Sequence, residues 1–284
     1  MEFIRTIDEL RDRVASAKGA GMRVGLVPTM GALHAGHLSL VSEARSECGF
    51  VVVSVFVNPT QFGPSEDFDR YPRPLTADCD LCEKAGVDVV FAPEVKEMYP
   101  DEQVTWVNVE KITEPLCGAS RPGHFRGVAT VCAKLFNIVL PDRAYFGQKD
   151  AQQVAVIKRM VQDLNMPLEI RVCPTVRESN GLAMSSRNKY LSESEKENAV
   201  FIKKSLEKCR QLVRQGVLDR ETIESEMRQI LESGGVVEIE YIGVVDADTM
   251  ERVDRIGGKV LVAVAVKVGS TRLIDNILVD AEAN

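Results

Sequence analysis

Apolar residues in the first half of the chain fall into short valine-rich blocks, separated by stretches whose apolar positions recur at steps of three and four. The blocks at 23–27, 50–57, 88–91, 143–146 and 168–175 predict strands, and the stretches at 6–18, 37–48, 77–85, 128–140 and 151–164 predict helices. Residues 50–57 read Phe-Val-Val-Val-Ser-Val-Phe-Val, a nearly unbroken apolar run that marks a strand buried on both faces of a parallel sheet. Thr6 and Glu9 have the spacing of a capping box at the start of the first helix, with Leu10 and Val14 on its apolar face. Strands alternating with helices predict right-handed βαβ units in a doubly wound sheet.

The pattern changes after residue 176. Ser192 and Glu195 form a second capping-box signature, followed by Ala199, Ile202, Leu206, Cys209 and Val213 on one helical face. A further helix at 220–231 precedes three strands at 236–245, 259–268 and 271–279. The expected fold is therefore α/β. A Rossmann-like doubly wound parallel sheet over 1–176 precedes a smaller α+β domain over 177–284, with the loop signal Ser179-Asn180-Gly181 near the join.

Composition narrows the function classes. A net charge of −7 argues against a nucleic-acid partner, whose phosphates would call for a basic surface. The N-terminal residues lack an apolar leader, and the longest apolar runs, such as 260–266, are too short to span a bilayer. Seven scattered cysteines, an odd number, fit a reducing cytoplasm. Cys79 and Cys82 are read as two small apolar residues on one helical face, since no second ligand pair accompanies them.

In a doubly wound sheet, ligands bind beyond the carboxyl ends of the strands, so the strand-to-helix turns are where chemistry is expected. The two commonest glycine-rich phosphate loops are absent from the sequence. Instead Met30-Gly31-Ala32-Leu33-His34-Ala35-Gly36-His37 joins a strand to a helix start and holds two of the chain's three histidines. Gly31 and Gly36 allow close backbone approach, and a helix N-terminus attracts anions. Two imidazoles there suit phosphate oxygens; capping or core histidines are the plain alternative, and zinc would need ligands beyond His124.

Three further segments stand out. In Gly147-Gln148-Lys149-Asp150, Asp150 can cap the following helix with Gln153 completing the box, but Lys149 opposes the helix dipole and so suggests an anion. Met184-Ser185-Ser186-Arg187 at the domain join offers hydroxyls and an arginine on a mobile linker that could close over a nucleotide. Asn58 and Gln61, just past the buried strand, can hold a small polar substrate without adding charge, although Asn58-Pro59 is also ordinary turn chemistry.

These segments, together with Tyr71-Pro72-Arg73, residues 120–127, Gln152-Gln153 and Arg272-Leu273-Ile274-Asp275-Asn276, resemble the pantothenate synthetase (pantoate–β-alanine ligase) family over nearly the whole chain. The histidine turn is shared with a wider nucleotidyltransferase group. The resemblance implies that ATP and pantoate form pantoyl adenylate and pyrophosphate, and that β-alanine then yields pantothenate and AMP. It implies catalytic roles for His34, His37 and Lys149, with His37 as proton donor. ATP would lie against residues 30–37, Gly147, Gln148, Lys149, Asp150, Val176, Met184, Ser185, Ser186 and Arg187. Pantoate would meet Gln61, Gln153 and Asn58, and β-alanine would meet Gln61. Mg²⁺ would travel with the ATP phosphates, Asp78 being a possible outer contact, and the assembly implied is a homodimer with a C-terminal lid.

Two positions depart from the family's usual residues: Gln148 replaces Glu, and Thr60 replaces Met, which is expected to loosen the pocket beside the pantoate amides. The rival readings are an adenylyltransferase acting on a phosphate monoester such as phosphopantetheine, and a nucleotide sensor without turnover. The first would want basic residues where Asn58 and Gln61 stand, and the second would be expected to lose Lys149 or a histidine.

Overall fold

A computed structural model describes residues 1–64, 66–235 and 238–281. The chain divides into two compact units, one comprising Met1–Val109, Arg121–Gly147 and Val156–Pro174, the other Glu110–Ser120, Gln148–Ala155 and Thr175–Asn284.

The first unit is built on strands β1 (Glu2–Ile4), β2 (Val24–Thr29), β3 (Phe50–Val55), β4 (Val89–Phe91), β5 (Arg143–Gly147) and β6 (Glu169–Cys173). All pair in parallel, in the order β1-β4-β3-β2-β5-β6. The helices between them are α1 (Ile7–Gly19), α2 (Ala35–Glu47), α3 (Leu75–Lys84), α4 (Val95–Met98), α5 (Cys117–Ser120), α6 (His124–Val139) and α7 (Ala151–Asp163); α5 and the first turn of α7 belong to the second unit. Val51, Val52 and Val53 are wholly buried, as expected for a strand sandwiched between helix layers. On one face Leu40, Val41 and Ala44 of α2 and Cys82 of α3 pack against Val51, Val53 and Val90. Burial pushes the Cys82 thiol up to about 12, so it serves as a small apolar core residue, as the sequence suggested.

In the second unit α8 (Glu193–Arg214) and α9 (Arg220–Ser233) pack against an antiparallel sheet of β7 (Glu238–Asp246), β8 (Lys259–Val268) and β9 (Thr271–Asp280), in that order. The Ser192–Glu195 capping box forms, its side chains and backbone amides exchanging both bonds. Ala199, Ile202, Leu206 and Cys209 line the buried face of α8. No described helix is long and apolar enough to cross a membrane.

Some expectations are corrected. Thr6 does not cap α1 through its side chain; its hydroxyl donates to Glu9 Oε2 at 2.7 Å, so two side chains satisfy each other in place of the backbone. The edge strand β1 was not read from the sequence, because three residues are too few to show a period. Helix α6 begins at His124, ahead of the expected 128, with Gly123 at φ 82° before it. Residues 236–237, expected to open a strand, lie outside the described residues.

Candidate active site

The strand order reverses between β2 and β5, so their carboxyl ends, Thr29 and Gly147, open onto the switch point of the sheet. The histidine turn leaves β2 there. Thr29 Oγ1 donates to Ser54 O of β3 at 2.7 Å and accepts from Gly31 N at 3.1 Å, which pins the start of the turn. Gly31 and Ala32 both take left-handed backbone, at φ 78° and 51°. Asp78 on α3, buried at 1% exposure, accepts from Ala32 N at 2.9 Å and Leu33 N at 2.8 Å. This carboxylate, considered above as an outer contact for Mg²⁺, holds the loop in shape through both its oxygens.

His34 is the N-cap of α2, its Nδ1 accepting from Gly36 N at 3.1 Å. In the neutral ring the proton then sits on Nε2, which makes that nitrogen a donor. The His34 and His37 rings lie 4.1 Å apart with a 34° tilt. Two imidazoles this close repel when both are charged, and an anion beside them relieves that repulsion. Capping and anion binding are thus compatible uses of the same turn.

Asn58 caps, and Gln61 closes, a 3₁₀ turn at Pro59–Gln61 that follows β3. Both are buried, and Asn58 Nδ2 donates to Gln61 Oε1 at 3.1 Å and to Gly127 O at 3.2 Å. Gln61 Nε2 lies 3.1 Å from Met30 Sδ, so the amide pair touches the first residue of the histidine turn. The main chain of Gln61 is held from α6, where His124 Nδ1 approaches Gln61 O at 2.8 Å and His124 Nε2 lies 3.1 Å from Arg121 Nη1. A neutral imidazole protonated on Nδ1 satisfies both contacts. Arg121 is itself fixed by Glu66, whose carboxyl sits below its ordinary range because the guanidinium outweighs the cost of burial. Asn58, expected beside pantoate, also makes these internal bonds to Gln61 and Gly127.

In the second unit, Gln148–Asp150 form a 3₁₀ turn directly before α7. Lys149 Nζ is 3.8 Å from Asp150 Oδ1, a long ion pair that leaves the ammonium capacity for another anion. Asn276 of β9 clamps this turn, donating through Nδ2 to Gln148 O at 3.0 Å and Lys149 O at 2.8 Å while accepting from Gln148 Nε2 at 3.0 Å. The last contact accounts for Gln148, since a carboxylate there could not donate to the Asn276 amide oxygen. Gln152 Nε2 holds Ile112 O at 2.9 Å and Pro115 O at 2.7 Å, a structural task, while Gln153 is half-buried.

The segment around 176–188, read above as a mobile linker, is a hydrogen-bonded hairpin. Met184 N donates to Val176 O at 3.0 Å, and Arg177 pairs with Asp275 at 2.6 Å. Ser185 Oγ accepts from Arg187 N at 3.2 Å, opening the 3₁₀ turn Ser186–Tyr190. The Arg177–Asp275 pair spans ninety-eight positions, which is why spacing did not reveal it.

The residues expected at the site therefore form two clusters: 30–37, Asn58 and Gln61 in the first unit, and 148–150, Gln153, Val176 and 184–187 in the second, with Gly147 ending β5. Sequence reasoning missed Tyr99, and it missed the supporting roles of Arg121 and Gly127, both within the noted segment 120–127, and the clamping role of Asn276. Asn276 lay inside a motif already noted, whereas Tyr99 had no local signal.

Comparison with known proteins identifies the family. A family model described as pantoate-beta-alanine ligase matches residues 2–278. The pantothenate synthetase of Acetivibrio thermocellus is 60% identical over 280 residues, spanning 99% of this chain and all of that protein (100%). The crystal structure of pantothenate synthetase from Thermus thermophilus is similar with a TM-score of 0.91 and 46% identity, covering 98% of this chain and 99% of that one. The pantoate-beta-alanine ligase from Francisella tularensis, crystallised with beta-gamma ATP and beta-alanine, has a TM-score of 0.81 and 36% identity, covering 100% and 99%.

Proposed function

The chain belongs to the pantoate–β-alanine ligase family and joins pantoate to β-alanine at the expense of ATP; we propose that it does so through pantoyl adenylate. A pantoate carboxylate oxygen attacks the α-phosphorus, the bond to the β-phosphate breaks, and pyrophosphate leaves. The β-alanine amine then attacks the acyl carbon, the acyl–oxygen bond breaks, the nitrogen loses its proton, and AMP departs.

The observation that carries this reading is the contact between Gln61 and Met30. It joins a buried, uncharged amide pair to a turn bearing two imidazoles, within one unit. Neutral amides can take a carboxylate without repelling it from a polyanion, and the imidazoles meet the charge that grows on the departing pyrophosphate. His37 donates to the phosphates, with His34 and Lys149 sharing that charge. Gly147, Gln148 and Asp150 accompany Lys149 on ATP, and Val176 with Met184, Ser185, Ser186 and Arg187 lines the nucleotide. Gln61 and Gln153 hold pantoate, and Gln61 also meets β-alanine. Mg²⁺ arrives on the ATP phosphates as part of the substrate. Seven free cysteines support a reducing cytoplasm, and we place the protein there as a homodimer, following the family resemblance.

The purified protein with ATP is expected to release pyrophosphate only when pantoate is present, and to accumulate AMP and pantothenate once β-alanine is added. Pyrophosphate release without pantoate, or no turnover at all, would contradict the ligase chemistry.

A further inference from the structure

Which end of the Gln61 amide faces the substrate decides whether it donates to a carboxylate or repels it. That orientation is controlled by Asn58 and Thr60 within the same segment and by Tyr99 from outside it. Asn58 Oδ1 accepts from Tyr99 OH at 2.9 Å, from Thr60 Oγ1 at 2.9 Å and from Thr60 N at 3.4 Å. The two hydroxyls make the short contacts, and the backbone amide makes a long one. An Asn58 nitrogen in place of that oxygen would face the Thr60 N–H with no hydrogen-bond acceptor between them. With the oxygen so placed, Nδ2 is turned to Gln61 Oε1 at 3.1 Å and Gly127 O at 3.2 Å. Gln61 must then present its oxygen to Asn58 and its nitrogen outward.

The outward Nε2 rests against Met30 Sδ at 3.1 Å. A thioether is a weak acceptor that a carboxylate or hydroxyl oxygen outcompetes. Tyr99 is held for its part in this arrangement: its ring lies 6.2 Å from that of Phe56 and 4.9 Å beneath Lys134 Nζ. Burial raises the phenol above its ordinary range, so it stays a donor at neutral pH.

We infer that Tyr99 and Thr60 are positioning residues for pantoate: by fixing the Asn58 amide they fix Gln61 as a donor to the oxygens of an α-hydroxy acid. This rests on the placement of pantoate at Gln61 proposed above. It also gives a role to Thr60, which replaces an apolar residue usual in the family. In this arrangement Thr60 adds a second hydroxyl anchor to the amide relay.

Steady-state kinetics of the full-length protein test the relay, with pantoate and ATP varied separately. A hydrogen bond of typical net strength corresponds to about a fivefold change. Tyr99→Phe and Thr60→Val are each expected to raise the pantoate KM about fivefold, and the double variant about 25-fold, from one such bond per hydroxyl. The ATP KM should stay at the parental value and the Tm within a few degrees of it, and Thr60→Ser, which keeps the hydroxyl, should behave as the parent. Gln61→Ala serves as the reference. A raised pantoate KM in Gln61→Ala with a parental value in the double variant overturns the relay and leaves the pantoate site standing. A parental pantoate KM in Gln61→Ala overturns both. Parallel rises in the two KM values with a lower Tm in the double variant would mean general loosening, and would also overturn the relay.

Discussion

His37→Ala is expected to lower kcat by about 100- to 1000-fold, the usual cost of removing one preorganised donor to developing negative charge. Its Tm should stay within a few degrees of the parent. The turn that carries His37 is held by other groups. Thr29 links β2 to β3, Asp78 takes the amides of Ala32 and Leu33, and His34 caps α2. None of these bonds involves the His37 ring. His34 makes a less clean probe, because its alanine variant also loses an N-cap contribution of about 1 kcal/mol. Activity is read as pyrophosphate release at saturating ATP, pantoate and β-alanine, and stability by thermal melting. Parental kcat in His37→Ala would remove that ring from the mechanism.

Gly127→Ala is expected to be the most damaging single methyl in the first unit. Helix α6 runs so close to the Pro59–Gln61 turn that a Cβ at 127 would lie 2.6 Å from Thr60 C and 2.7 Å from Gln61 N. Those are backbone atoms on both sides, so no side chain can swing away. Relief must come from moving α6 or the turn, a strain of about 3 kcal/mol by analogy with overpacked cores. The same shift breaks the bond from Asn58 Nδ2 to Gly127 O and displaces Gln61. A lower Tm together with an increase of more than tenfold in pantoate KM is therefore expected. A variant with parental Tm and parental pantoate KM would show that the close approach is not needed.

Gly127 also illustrates why some of the fold could not be read from the sequence. By propensity a glycine inside a helix costs about 1 kcal/mol, and the expected helix at 128–140 began just after it, whereas α6 starts at His124. The contact that requires glycine is made by a segment more than sixty positions away in sequence. The elements that were legible carry their cause locally. β3 is a run of valines because helices cover both its faces, and Ser192 caps α8 with Glu195 three positions on. The histidine turn was legible for the same reason, since its glycines, helix start and imidazoles are contiguous.

The supports of the site were not legible. Tyr99 reaches Asn58 from forty-one positions away, and Asp78 reaches the histidine turn from forty-five and forty-six. Only the fold brings such pairs together. Thr6 shows the opposite error: a correct local signature whose side chain found a nearer partner in Glu9. Asn58 was found by its chemistry, but its bonds to Gln61 and Gly127 were not, because an amide's partners are set by geometry that spacing does not encode.

The adenylate route is the central claim, and isotope exchange tests it most directly. The protein is incubated with ATP, pantoate and radiolabelled pyrophosphate, with β-alanine left out. If pantoyl adenylate forms reversibly at the site, label enters ATP, the exchange requires pantoate, and His37→Ala suppresses it. Steady pantothenate synthesis without any pantoate-dependent exchange, under conditions where added pyrophosphate is shown to bind, would contradict the account.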